Sequence, residues 1–276
     1  MNKVRVLGES VLLVVMTIII QVMMTIFSSI YFTLKLRNSQ DTVNQKDLLM
    51  LITENNLIII LIGWIVTLLI IYIVMLLSKQ NMIKIIKLDN KISLLHIGIC
   101  IISAIGLNMA INGLISMSQI TNLFPEYEEV ISGIINHDFY LTLLCVGILI
   151  PISEEILYRG ILLNKLRNGF SISIAIIIQG ILFGISHMNF IQGMYAFIIG
   201  AFFGYIVIWT GSLLSSIIMH IVVNSMSVII SNTNQLNMGY NNMLILTLVG
   251  IIISIISMRI LYLDRKEVNN IINFYS

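Results

Sequence analysis

The chain has 276 residues, 58% of them hydrophobic and 10% charged, with two prolines and a formal net charge of +2. A mean hydropathy of +1.01 lies far above that of a soluble domain and marks a polytopic membrane protein, with lipid as its first partner and no nucleic acid. The two cysteines, Cys100 and Cys145, sit inside apolar runs at no metal-type or disulfide-type spacing and read as inert core residues.

A window of about 20 residues per span places apolar segments at 11–34, 56–78, 92–117, 139–157, 171–188, 190–209, 212–231 and 243–263. The fold class is therefore all-α, a transmembrane bundle of about eight helices. Residues 1–120 hold the first three spans and residues 138–264 the last five. No short apolar region with a small-residue cleavage site precedes Val11–Leu34, which reads as a retained span.

Lysines and arginines collect before the first span (Lys3, Arg5), between the second and third (Lys79, Lys84, Lys87, Lys91), after the fourth (Arg159, Lys165, Arg167) and at the close of the eighth (Arg259, Arg265, Lys266). The loop between spans three and four is acidic, with Glu126, Glu128, Glu129 and Asp138. By the positive-inside rule both termini face the cytoplasm. The loop Lys79–Lys91 alternates lysines with Met82, Ile83, Ile85, Ile86 and Leu88. That pattern suits either a short interfacial helix on anionic lipid or ordinary positive flanks.

The fourth span ends in Glu154-Glu155-Ile156-Leu157-Tyr158-Arg159. Charge at bilayer depth is costly, so such a group is a functional-site candidate by default. Glu155 and Arg159 are four apart and lie one above the other on a helix, within reach of an ion pair. Glu154 lies about 100° round the helix, free to face something else and to act as a general base. Alternatively, the three are interfacial charges with Arg159 reaching toward head groups.

Two histidines join this pair from other spans. Phe183-Gly184-Ile185-Ser186-His187 sets a ring one turn before an imidazole, and His220-Ile221-Val222-Val223-Asn224 sets an imidazole and an amide on one helix face. Together with the glutamates they form a polar constellation that a purely structural bundle seldom needs. His96 and His137 have no spaced polar partner and read as structural.

Glu-Glu-x-x-x-Arg, Phe-x-x-x-His and His-x-x-x-Asn, in that order on separate apolar helices, resemble the CPBP intramembrane protease family of CAAX prenyl proteases and bacteriocin-processing or self-immunity (Abi) proteins. The resemblance covers about 70 residues, Glu154 to Asn224. It implies an endopeptidase in which Glu154 and His187 activate a water, His220 and Asn224 hold the oxyanion, and Glu155 and Arg159 orient the first glutamate. It also implies a possible cofactor: if a divalent metal such as zinc is bound, Glu154, His187 and His220 are its ligands. The same residues serve a metal-free, glutamate-dependent mechanism, toward which the reading leans.

The substrate implied is a membrane-associated peptide or protein, and the bacterial look of the composition favours a peptide pheromone, bacteriocin precursor or small membrane protein in a cell membrane. Two other classes compete. A non-catalytic binding protein of the same fold, an immunity factor or sensor-kinase partner, has no chemical need for all six residues. A transporter is disfavoured by the lack of inverted repeats and proline-broken helices.

Depth sets one further expectation. Entering at Phe139, the fourth helix reaches Glu154 after about 22 Å, whereas His187 lies about 24 Å along the fifth from the other side. In a core about 30 Å thick these depths conflict. The conflict eases if the fourth helix continues through Leu166, with Arg159 inside the protein and the motif in a hydrated cavity. Gly180 with Gly184, and Gly200 with Gly204, are spaced to let helices pack closely.

Overall fold

A computed structural model describes residues 2–39, 44–88, 90–135, 137–233 and 239–265. Among them every regular element is helical: α1 (Lys3–Ser39), α2 (Gln45–Leu77), α3 (Met82–Ile86), α4 (Leu94–Ser118), α5 (Pro125–Ile135), α6 (Phe139–Leu166), α7 (Ile172–Ser186), α8 (Phe190–Thr210), α9 (Leu213–Asn232) and α10 (Tyr240–Asp264). Helices begin where a side chain can satisfy a first-turn N–H. Asn44, Asn81, Ser93, Asp138 and Asn189 each accept one, opening α2, α3, α4, α6 and α8.

Seven of these helices are long and apolar enough to cross a membrane, and the chain is a multi-pass membrane protein. The remaining expected span, the fifth, is α7, which has 15 residues and is about 22 Å long, short of a full crossing. Its end at His187 is therefore recessed. A left-handed Met188 (φ 54°) and an N-cap at Asn189 turn the chain straight back into α8. Helix α6 runs unbroken to Leu166, as the depth argument requires. Counted from the basic end, Glu154 lies about 18 Å along α6 and His187 about 22 Å along α7, so the two now stand at similar depth.

Two elements differ from the sequence reading. Helix α2 starts at Gln45 rather than near residue 56, because nothing between Asn44 and Asn56 breaks a helix and the polar Thr53 to Asn56 stretch simply continues it. The acidic loop contains the amphipathic helix α5, with Pro125 in its first position and Glu126, Glu128 and Glu129 exposed.

Packing is governed by small residues. A Cβ at Gly184 would stand 2.5 Å from the Gly193 carbonyl oxygen, and one at Gly200 3.1 Å from the Gly180 Cα, so α7 and α8 touch backbone to backbone. Gly204 sits as tightly against Ile176. Gly106 and Gly250 bring α4 and α10 equally close, and α4 also packs along α9. Cys100 and Cys145 are free and buried.

Candidate active site

The site is organised around a weak point in α6. Pro151 has no N–H, so the Gly147 carbonyl loses its α-helical donor. The turn before it, Leu143–Leu149, is a π-helix, and the Ile150 N–H reaches back to Cys145 rather than to Val146. Helix α9 supplies the missing donors: Asn224 Nδ2 donates to the Val146 oxygen (3.1 Å) and Ser225 Oγ to the Gly147 oxygen (3.2 Å). Gly147 makes room, since a Cβ there would lie 2.9 Å from that hydroxyl. The helix bearing His220 and Asn224 is thus fastened to the motif helix about two turns before Glu154.

Beyond Pro151, Glu155 is fully buried and its Oε1 accepts from two donors, Arg159 Nη1 at 2.7 Å and His220 Nδ1 at 2.7 Å. Arg159 is itself buried, with its guanidinium carbon 4.4 Å from the Phe183 ring centroid and 5.4 Å from that of Phe203. Buried charge of this kind is tolerated only when paired and stacked. Phe183 is the hub. Tyr158 and His187 meet its edge at 4.8 and 4.7 Å between centroids, and His220 stands 6.0 Å away.

Glu154 turns away from this buried pair and lines a cavity of about 690 Å³. Its Oε2 lies 3.6 Å from His220 Nε2, so one imidazole spans both glutamates. His187 lines the same cavity, and its Nδ1 sits 2.8 Å from the Phe183 carbonyl oxygen. That bond puts a proton on Nδ1 and leaves Nε2 of the neutral ring as an acceptor. Asn224 also borders the cavity, with one amide hydrogen committed to Val146 and a second to spare. The structure therefore brings Glu154, His187, His220 and Asn224 to one space, with Glu155 and Arg159 behind them. His96 faces Asp264 at 3.5 Å, and neither it nor His137 lines this cavity.

Three contributors escaped the sequence reading. Asn108 of α4 is buried and donates to the Val223 oxygen (2.9 Å) and to Ser227 Oγ (2.8 Å), holding α9 from the opposite side. An asparagine in an apolar span at position 108 was the available signal. Pro151 was visible as a proline three residues before the motif. Tyr127 of α5 lines the cavity together with Tyr195 of α8, so the acidic loop forms part of the cavity wall.

A catalytic zinc needs about three side-chain donors within roughly 2.3 Å of one point. Among the described residues no three His, Cys, Asp or Glu side chains converge in that way. The Nδ1 atoms of His220 and His187 are held by Glu155 and by the Phe183 carbonyl, the way histidines that ligate through Nε2 are oriented. Glu154, His187 and His220 are thus the donor types a zinc takes, set apart from one another as they are placed here.

Residues 136–226, about a third of the chain, match the family model for Rce1-like proteins, described as type II CAAX prenyl endopeptidase Rce1-like. All six residues singled out by the motifs fall within that segment. No curated protein and no solved structure gives a significant match. Residues 136–226 are thus an Rce1-like segment, and that similarity supports an intramembrane endopeptidase of the general CAAX type.

Proposed function

We propose that the chain hydrolyses a peptide bond in a membrane-associated peptide or protein, with Glu154 as general base and His187, His220 and Asn224 as its catalytic partners. The observation that carries this reading is the convergence of those four side chains on one cavity, with Glu154 the cavity-facing member of a pair whose other carboxylate is already paired.

In this mechanism Glu154 and the bare Nε2 of His187 accept the two hydrogens of a water, leaving its lone pair aimed at the substrate carbonyl. Glu154 takes one proton as the new C–O bond forms, then delivers it to the departing amine as the C–N bond breaks. The oxyanion is met by the second Asn224 N–H and by His220 Nε2–H. With Nδ1–H given to Glu155, that second proton requires the imidazolium form. The carboxylate of Glu154 opposite balances it, while Arg159 balances Glu155. Loss of one such oxyanion donor typically costs about 10²–10³ in rate. Glutamate rather than metal activates the water in this scheme.

The test compares wild type with Glu154→Ala and His187→Ala at matched membrane levels, by quantitative membrane and secreted peptidomics in the native host. A peptide whose cleavage vanishes identically in both variants identifies the substrate, a peptide pheromone or bacteriocin precursor being the expected class. Cleavage by the purified protein should then survive a chelator. If both variants keep the full wild-type phenotype while a deletion loses it, the chain acts by contact, as an immunity or sensor partner.

A further inference from the structure

At the basic end of the bundle a second cavity, about 1670 Å³, lies between α1, α2, α3 and the ends of α6 and α7. One wall is apolar, formed by Leu12, Leu13 and Met16 of α1 and Ile70, Ile71 and Val74 of α2. Its mouth carries five bases, Lys84, Lys87, Lys91, Lys165 and Arg167. The carboxylate lining it, Glu9, is already shared by Lys165 at 2.7 Å and Arg5 at 2.7 Å. Among the described residues the other four bases have no ion pair. Asp89 of the same loop lies outside the described residues, and even with it five bases face two acids.

Two of these cations, Lys87 and Arg167, are held in place rather than waving in water. Helix α3 is pinned to α6 by Ile86, buried against Gly160, and by Asn164 Nδ2 donating to the Ile85 oxygen at 2.8 Å. Lys87 closes α3 in a left-handed conformation (φ 54°) and is half-buried, as is Arg167. Burial lowers the basicity of both, and Arg167 lowers that of Lys87 further. The first turn of α7, where Ser171 makes no side-chain cap, opens into the same mouth and adds N–H donors to it.

We propose that this cavity binds an anionic phospholipid, its phosphate between Lys87 and Arg167 and an acyl chain along the apolar wall of α1 and α2. The pairing of bases with an apolar wall is the charge and polarity order of such a lipid at an interface, and uncompensated cations held close together gain most from an anion. A free phosphate would use the mouth and leave the wall without a partner.

Full-length protein, stripped of lipid in an uncharged detergent, would be offered equal phosphatidylglycerol and phosphatidylcholine of matched chains, and the retained lipid counted by native mass spectrometry. Wild type and a charge-matched control, Lys3→Gln/Lys79→Gln, are expected to retain phosphatidylglycerol about tenfold better, with a corresponding rise in Tm. Lys87→Gln/Arg167→Gln should bring that ratio close to one. If that pair does not fold, the exposed pair Lys84→Gln/Lys91→Gln should lower the ratio several-fold. A wild-type ratio near one overturns the proposal, as does an unchanged ratio in the cavity variants. Inorganic phosphate raising Tm as much as the lipid does would also overturn it and leave a free-anion site.

Discussion

Replacing Arg159 with methionine removes one partner of a buried ion pair while roughly filling its volume. Both side chains are shielded from solvent, so Glu155 would be left as a buried carboxylate with His220 as its remaining ion-pair partner among the described residues. Leaving one charge of such a pair behind costs about 3–5 kcal/mol. The double variant Glu155→Gln/Arg159→Met has no stranded charge, and the glutamine oxygen still accepts from His220 Nδ1. What it loses is mainly the guanidinium over Phe183, about 1–2 kcal/mol. Equilibrium unfolding in mixed micelles with increasing dodecyl sulfate should therefore rank wild type first, the double variant next and Arg159→Met last, with about 2–3 kcal/mol recovered by the second substitution. A double variant as unstable as the single one would refute the claim that the pair is held by mutual neutralisation.

The backbone contact between α7 and α8 predicts that Gly184→Ala destabilises by about 1–3 kcal/mol, because the Gly193 carbonyl cannot move aside cheaply. Gly98→Ala, with nothing within 4 Å of the new methyl, should be neutral or stabilising by up to about 1 kcal/mol in the same unfolding assay. Ser225→Ala should cost about 1 kcal/mol in the wild type but measurably less in a Pro151→Ala background, where residue 151 regains an N–H for the Gly147 carbonyl. Equal costs in the two backgrounds would show that the proline is not what frees that carbonyl.

Most of the bundle was legible because membrane helices are read by length and apolarity, and the chain has few residues that break them. The reading went astray where that signal thins. Thr53 to Asn56 looked like a loop because they are polar, although polarity at a membrane surface does not end a helix. The Glu126 to Glu129 run read as acidic loop for the same reason, while Tyr127 within it and Val130 and Ile131 just after it give α5 an apolar side that lines the cavity. For α7, the sequence pattern ran on through His187 and Met188. Backbone geometry at Met188, which no periodicity reports, ended the helix early and set the depth of His187.

The grouping of the six motif residues had a clear sequence signal because each occupied an otherwise apolar helix, where a polar side chain needs a reason. What joins those helices had none of comparable strength. Pro151 is an ordinary residue at helix interruptions, and Ser225 and Asn108 are ordinary residues at helix contacts. Their meaning comes from one another: a carbonyl freed on α6 is an acceptor that only a donor on a touching helix can satisfy in lipid. Asn224 sits at that junction with one N–H on the Val146 carbonyl and one left for the cavity. Its position is consequently set by the defect in the helix that carries Glu154. The proline, the π-turn and the asparagine thus act as one device that fixes the distance between the two halves of the site, and a change at any of the three is expected to move the other two.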